Sequence, residues 1–193
     1  MSTTRIRGLL LSLVCGLAGA SAHADLIFSN VNVTGSLSGG ASFVASNFDI
    51  DFTFPDAVVG DPNDVPRFGN IVITFEVTGD MMTADQLLLS VGGALSGSGL
   101  VFFNEVVEDL VNPGVIATYN ALLDENSDLP HVALLPFSRA SAHIKVKKTL
   151  FLSAEDTQAF DLANVSLVQQ NFIPEPASVT LLLSAALLAV RRR

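Results

Sequence analysis

The sequence predicts an all-β protein with a single antiparallel β-sandwich or jelly-roll domain. Apolar and polar residues alternate in several short runs, which is typical of strands with one buried and one solvated face. Clusters of Gly, Pro, Asn and Asp separate these runs, at the spacing expected of a sandwich. The segment 25–172 between two apolar ends has about 150 residues, the usual size of one domain.

The N-terminal segment has the features of a secretory signal peptide. Arg5 and Arg7 precede an apolar run over 8–19, and Ala22 and Ala24 frame an A-x-A cleavage site. We therefore assign residues 1–24 to a signal peptide that signal peptidase removes, which predicts that the following domain lies outside the cytoplasm.

The predicted mature domain has no disulfide and is strongly acidic. The only cysteine, Cys15, lies in the signal peptide, which excludes a thiol nucleophile or thiolate metal ligand from the domain. Five of the ten basic residues and one of the nineteen acidic residues lie in the terminal segments, so the domain carries a net charge of −13. Such a surface repels nucleic acid and anionic lipid, and we expect no nucleic-acid partner.

Period-two alternation is clearest in four runs, and four less regular runs predict further strands. In the last run the apolar phase shifts, which predicts a bulge near Ala163 and Asn164. The thirteen phenylalanines all fall in the domain, and at these positions they are expected to fill the core. In chain order the runs are 30–38, 48–54, 70–78, 86–91, 100–107, 115–123, 143–147 and 160–168.

Turn residues separate the predicted strands, and one short helix is expected. Ser153-Ala154-Glu155-Asp156 resembles a capping box, which favours a helix after Ser153. The predicted turns are Gly39-Gly40, 61–64, Gly79-Asp80, Gly92-Gly93, 112–114 and 124–128.

The C-terminal segment 173–193 predicts a membrane anchor. Pro174 and Pro176 favour an extended spacer, because proline fixes φ and has no N–H. The run 177–190 has no charged residue, and at about 1.5 Å per residue its helix is short for a bilayer. Arg191, Arg192 and Arg193 follow, which predicts a stop-transfer signal that stays cytoplasmic. A buried C-terminal helix of a soluble domain is the alternative.

The tripeptide Pro174-Glu175-Pro176, the apolar run 177–190 and the final arginines together resemble the PEP-CTERM sorting signal of Gram-negative bacteria. The resemblance covers about the last twenty residues. It implies that an exosortase in the inner membrane processes the chain near the motif, after a transient membrane stage. It also implies an exopolysaccharide-producing host, with delivery to the cell surface or biofilm matrix, where exopolysaccharide is a further expected partner.

No motif in the sequence predicts catalysis. There is no G-x-S-x-G, H-E-x-x-H, P-loop or G-x-G-x-x-G pattern, and only His131 and His143 follow the signal peptide. A glycosidase needs two carboxylates placed by the fold, and Glu105, Glu108 and Asp109 are candidates for such a pair. A charged strand end explains them more simply, so no catalytic residue is assigned.

Calcium is a candidate ligand, although the sequence assigns no metal or cofactor. Asp124, Asn126 and Asp128 alternate as at the start of an EF-hand loop, but Leu129 and Leu135 replace its glycine and final glutamate. A site at the edge of the sandwich could use Asp61, Asn63 and Asp64 instead, and the sequence does not choose between them.

Carbohydrate is the other candidate ligand. The segment 160–167 is similar to the last strand of jelly-roll carbohydrate-binding domains. The chain has no Trp and one Tyr, Tyr119, so rings for stacking against a sugar are expected to be scarce. His143 with Lys145, Lys147 and Lys148 could contact an anionic polysaccharide, although lysines also protect edge strands from pairing.

These observations predict an exported, non-enzymatic PEP-CTERM-type protein of the cell surface or matrix. The alternative is a carbohydrate-dependent or calcium-dependent binding module. A secreted hydrolase is the third possibility, and it requires His131 or His143 in a polar pocket beside a serine and a carboxylate.

Overall fold

The computed structural model describes residues 25–61, 65–90, 95–156 and 160–175, which all belong to one compact unit, Asp25–Pro176. The predicted signal peptide and the apolar run 177–190 lie outside these residues. Within the described part of the chain, no helix has the length and apolarity needed to cross a membrane.

All the described strands pair in antiparallel fashion, which confirms the predicted all-β class. The ten strands are β1 (Ile27–Thr34), β2 (Ser42–Ser46), β3 (Asp49–Thr53), β4 (Val58–Gly60), β5 (Phe68–Ser90), β6 (Leu100–Asp109), β7 (Gly114–Leu123), β8 (His131–Ser153), β9 (Leu162–Asn164) and β10 (Leu167–Pro174).

Two long strands, β5 and β8, run through both layers of the fold. Residues 68–78 of β5 pair with 143–153 of β8, and residues 82–89 of β5 pair with 131–141 of β8 after a register shift. The first pair of segments joins β1, β6 and β7, and we call this layer sheet I. The second pair joins β10, β3 and β2, and we call this layer sheet II. The short strands β4 and β9 pair separately.

The core lies between the two sheets and is rich in aromatic rings. Phe75 of sheet I packs against Phe52 and Phe172 of sheet II, with ring centroids 5.7 and 6.2 Å apart. All three side chains are buried, together with the aliphatic residues that alternate with polar ones along β5, β8 and β10. Burial of this apolar surface, at roughly 25 cal/mol per Å², is the main force that holds the sheets together.

The predicted turn at Gly79-Asp80 is instead a corner where β5 passes from sheet I to sheet II. The strand continues through both residues, and its register with β8 shifts between Thr78 and Met82. Gly79 has a φ of +156°, which L side chains rarely adopt, and a Cβ atom there would also crowd a methyl carbon of Leu26 at 2.8 Å, so this position favours a glycine. A bend without a chain reversal has the same turn residues as a hairpin, which explains the wrong prediction.

The predicted helix after Ser153 does not form in residues 154–156. The amide of Ala154 donates to the carbonyl of Arg67, and the amide of Asp156 donates to the Asp161 carboxylate. These tertiary hydrogen bonds to Arg67 and Asp161 replace the capping pattern, which is only a local preference.

The predicted bulge near Ala163 and Asn164 is a change of partner strand. Residues 162–164 form β9 and pair with β4, and Val165 then donates its amide to Ala57. From Leu167 the chain joins sheet II as β10. The alternation of apolar residues shifts because residues 162–164 and the residues from 167 onward belong to different strands with different partners.

Candidate functional site: the outer face of sheet I

Exposed apolar side chains gather at one end of the outer face of sheet I. Phe102 of β6 lies directly opposite Leu122 of β7 on one side and Phe151 of β8 on the other. Leu100 and Phe68 lie one row further along, both opposite Ser153. We call these five residues the phenylalanine face. The exposed fractions are 43% for Phe102, 42% for Phe151 and 63% for Leu122, so the patch is open to solvent.

A row of polar, uncharged side chains borders the phenylalanine face. Asn104 is paired with Asn120 on one side and with Thr149 on the other. The Asn104 amide group donates a 2.7 Å hydrogen bond to the Asn120 side-chain oxygen. No described residue bonds the remaining oxygen of Asn104 or the remaining amide hydrogens of Asn120, so one acceptor and one donor stay available beside the rings.

The phenylalanine face corrects the prediction that all thirteen phenylalanines fill the core. Phe103 is buried, whereas the adjacent Phe102 points to the opposite face, because successive side chains of a strand alternate between the two faces of a sheet. Rings for stacking against a ligand are therefore not scarce. In the sequence the only signal is that Phe102 and Phe151 fall in the polar phase of their strands.

The predicted basic patch of His143, Lys145, Lys147 and Lys148 does not form. Lys148 is completely buried and points into the core. Lys145 is exposed, but its direct neighbours across the strands are the carboxylates Glu76 and Glu108. The edge-protection interpretation is wrong as well, since β8 lies between β5 and β6 within sheet I.

The three candidate carboxylates of β6 do not converge. Glu105 is buried between the sheets, whereas Glu108 is exposed on the outer face. Asp109 is buried at the end of β6, where it accepts hydrogen bonds from Arg139 and Ser141. The Arg139 hydrogen bond in particular holds the pKa of Asp109 below its ordinary value, against the opposing effect of burial. The group is held as a structural anion.

Neither described histidine lies beside a serine hydroxyl in the arrangement that a hydrolase needs. The His143 ring contacts Glu76 at 3.2 Å, and the Ser141 hydroxyl donates to Asp109. The His131 ring stacks on Tyr119, and its Nε2 lies 2.5 Å from the Tyr119 hydroxyl. Burial raises the pKa of Tyr119, which favours the phenol as the donor of this bond.

Two of the calcium candidates, Asp124 and Asp61, are engaged in other contacts. The Asp124 carboxylate accepts from the amide of Asn126 and the hydroxyl of Ser127, which closes a local turn. The Asp61 carboxylate binds Arg67 and the amide of Asp161. Asn63 and Asp64 lie outside the described residues. Within the described ranges, no three His, Cys, Asp or Glu side chains form a group that could hold a metal ion.

The predicted sorting motif begins at the end of sheet II. Pro174 is the last residue of β10, and the amide of the exposed Glu175 donates to the carbonyl of Met81 at 2.7 Å. Pro176 and the arginines 191–193 lie outside the described residues, as do Ala22 and Ala24 of the predicted cleavage site.

Four buried polar side chains meet between the sheets. Glu105 and Lys148 come from sheet I, and Asp85 and Gln170 come from sheet II. The Lys148 Nζ atom lies 2.5 Å from Glu105 Oε1 and also donates to Gln170 Oε1. No sequence pattern predicts this buried cluster, since each residue alone resembles an ordinary surface residue.

No protein-family model matches the chain, and no curated protein matches it in sequence. Among solved structures, the chain is similar to TmCBM61 in complex with β-1,4-galactotriose, with 10% identity, a TM-score of 0.42 and coverage of 76% of this chain and 90% of that one. It is also similar to the family 11 carbohydrate-binding module from Clostridium thermocellum in complex with a mixed-linked tetrasaccharide, with 10% identity, a TM-score of 0.28 and coverage of 77% and 87%.

A third similar structure is a family two carbohydrate esterase from Cellvibrio japonicus, with 9% identity and a TM-score of 0.28. The match covers 78% of this chain and 36% of the esterase. The neighbours are thus mostly carbohydrate-binding modules, with some enzymes among them. All these TM-scores are below 0.5, so they indicate no function for this chain.

Proposed function

We propose that the domain is a non-catalytic module that binds a neutral glycan on the phenylalanine face of sheet I. The observation that carries the proposal is the pair of exposed rings, Phe102 and Phe151, on adjacent strands beside the Asn104–Asn120 amide pair.

The chemistry of this surface suits a sugar. A pyranose ring has an apolar C–H face that packs on an aromatic ring, and a rim of hydroxyls that both donate and accept hydrogen bonds. The phenylalanine face supplies the rings, and the side chains of Asn104 and Asn120 supply a free acceptor and a free donor. A purely apolar partner would leave these amides unpaired, at a cost of about 1–3 kcal/mol for each buried group.

The charge distribution favours a neutral glycan over an anionic one. The rows that contain the phenylalanine face and the amide pair carry no charged side chain, whereas the domain as a whole has a net charge of −13. An anionic polysaccharide would be repelled by the domain without meeting a basic cluster near the rings.

The test is binding of the purified chain to neutral β-glucans, galactans and the host exopolysaccharide, measured by affinity electrophoresis. The double variant Phe102→Ala/Phe151→Ala should lose about tenfold or more in affinity, since about 1.4 kcal/mol corresponds to tenfold. The control Phe160→Ala removes a ring that is 63% exposed and lies outside the strands of sheet I, and this variant should bind as the parent does.

Two outcomes would contradict the proposal: binding that the double variant retains in full, or no binding of any neutral glycan by the parent chain. The same measurement with a calcium chelator tests the calcium-dependent alternative. Binding on the phenylalanine face needs no metal and should persist.

For delivery, we propose that signal peptidase and then an exosortase process the chain, which passes through the inner membrane to the cell surface or matrix. The sequence pattern supports this, and the exposed position of Glu175 at the end of β10 is compatible with access by an enzyme. Replacement of Pro174, Glu175 and Pro176 by alanine should leave an uncleaved precursor in the inner membrane. Normal surface delivery of that variant in a fractionation experiment would refute the sorting assignment.

A further inference from the structure

The buried cluster between the sheets contains an amine beside a carboxamide. Lys148, Glu105, Asp85 and Gln170 all have no exposed surface, and the Lys148 Nζ atom donates to the side-chain oxygen of Gln170. The amine nitrogen is therefore adjacent to the carbonyl carbon of that amide. Water is excluded from the pair, so the two groups are held at high effective concentration.

Glu105 is placed to act as a base toward this amine. Its Oε1 atom lies 2.5 Å from Lys148 Nζ, and its Oε2 atom has no hydrogen-bond partner among the described residues. Transfer of one proton from the ammonium to this carboxylate removes both charges from an apolar interior and leaves a neutral amine. The Phe103 ring, whose centroid lies 5.5 Å from Nζ, is part of that apolar wall. In the neutral form Nζ has a free lone pair and can attack a carbonyl.

Asp85 is placed to act as an acid toward the amide. Burial, and then the negative charge of Glu105, raise the pKa of Asp85 well above its ordinary value, so its carboxyl retains a proton. Gln170 is close enough to influence that pKa, although neither Asp85 oxygen makes a hydrogen bond of normal length. The Gln170 Nε2 group also has no partner, so its nitrogen is available to accept a proton as it leaves.

From this geometry we propose that Lys148 and Gln170 form an intramolecular isopeptide bond, with Glu105 as the base and Asp85 as the acid. Glu105 takes a proton from the ammonium, and Nζ forms a bond to the Gln170 Cδ atom. Asp85 donates a proton to Nε2, the Cδ–Nε2 bond breaks, and ammonia leaves. The Asp85 carboxylate then takes the remaining extra proton from Nζ. The products are a secondary amide, ammonia and a protonated Glu105, and no oxidant or reductant is needed.

The bond would join β8 of sheet I to β10 of sheet II, across a separation of 22 residues in the chain. A covalent link of this kind restricts the unfolded chain as a disulfide does. Because Cys15 is the only cysteine, this domain has no disulfide to serve that purpose outside the cytoplasm.

Mass spectrometry of the denatured full chain tests the proposal. The intact mass should be about 17 Da below the sum of its residues, the mass of one ammonia. Chymotrypsin cuts after Phe151 and Phe160, between the two residues, and should leave the peptides that contain Lys148 and Gln170 joined. Glu105→Gln should lose the bond and show the full mass, whereas the exposed neighbour variant Lys147→Arg should keep it.

The parent chain alone can overturn the proposal. A full intact mass with two separate peptides would do so, as would a link from Lys148 to Asp85 with loss of water, about 18 Da, instead of ammonia. Retention of the bond in Glu105→Gln, with a native circular dichroism spectrum, would refute the role of Glu105 as the base.

Discussion

The phenylalanine face and the buried cluster both use residues of β6 and β8, on opposite faces of sheet I. Phe102 and Phe103 are adjacent on β6, and the first is exposed while the second is buried. Lys147 and Lys148 are adjacent on β8, and again one is exposed and one is buried. Residue type therefore does not decide which face of sheet I a side chain occupies. The strand phase decides it, and where phase and type conflict the sheet holds exposed rings or buried charges.

The largest effect should come from the buried charge. Lys148→Met removes the ion-pair partner of the buried Glu105 and also the proposed link to Gln170, and it should lower the free energy of unfolding by at least about 3–5 kcal/mol. Lys147→Met, one residue away on the outer face, should change it by no more than about 0.5 kcal/mol. Urea denaturation at neutral pH measures both values. The double variant Glu105→Gln/Lys148→Met should recover much of this loss. Equal losses in Lys148→Met and Lys147→Met would contradict the prediction.

Asp85→Asn should flatten the pH dependence of stability, because it removes a buried carboxyl whose oxygens lack partners and whose ionisation is therefore unfavourable. Burial raises the folded-state pKa of Asp85 above the unfolded value. Its contribution is therefore fully present below the unfolded pKa, about 4, and is lost as the pH rises through the folded value. Unfolding measured across that window should show a smaller pH dependence in the variant. An unchanged dependence would show that Asp85 titrates normally.

Asp109→Asn should change the pH dependence of stability in the opposite direction to Asp85→Asn. At neutral pH it should lower the free energy of unfolding by less than Lys148→Met does. Hydrogen bonds from Arg139 above all, and from Ser141, lower the folded-state pKa of Asp109. Its contribution is therefore present above about pH 4 and is lost as the pH falls through the folded value. The variant should lose less stability on acidification than the parent, as measured by thermal unfolding. The neighbouring exposed Glu108→Gln is the control and should behave as the parent does.

The smallest effect on stability should come from the phenylalanine face. Phe102→Ser and Phe151→Ser should each lower the free energy of unfolding by about 1 kcal/mol or less, because each residue is already more than 40% exposed. Phe103→Ala, in the core, should cost about 3–5 kcal/mol. Denaturation curves of Phe102→Ser and Phe103→Ala compare the outer face with the core directly. A large loss in Phe102→Ser would mean that the outer face is part of the folded core.

Much of the strand content was predictable because alternation is a local property. The run 70–78 lies within β5, and the turn at 112–114 joins β6 to β7, as expected. The predicted helix does not form in residues 154–156, and the predicted bulge near Ala163 was wrong, because residues distant in the chain set those hydrogen bonds. The corner at Gly79 was not predictable, since a bend between sheets and a hairpin turn have the same residues.

The candidate site was less predictable than the fold. The absence of Trp and the single Tyr suggested that stacking rings were scarce, and the structure instead exposes phenylalanines. Their exposure depends on cross-strand register, which places Phe102 beside Phe151 although 49 positions separate them in the chain. The buried cluster depends on register in both sheets at once.

The sequence by itself determined the antiparallel strands, the acidic and cysteine-free domain, and the terminal patterns that predict export and sorting. Each of these is encoded by composition or by short-range spacing. Only the tertiary structure decided that β5 and β8 pass through both sheets, that Lys148 meets Glu105 and Gln170, and that Phe102 and Phe151 form one surface. The physical reason is that these contacts join residues far apart in the chain, and strand pairing fixes their positions only after the whole sandwich has formed.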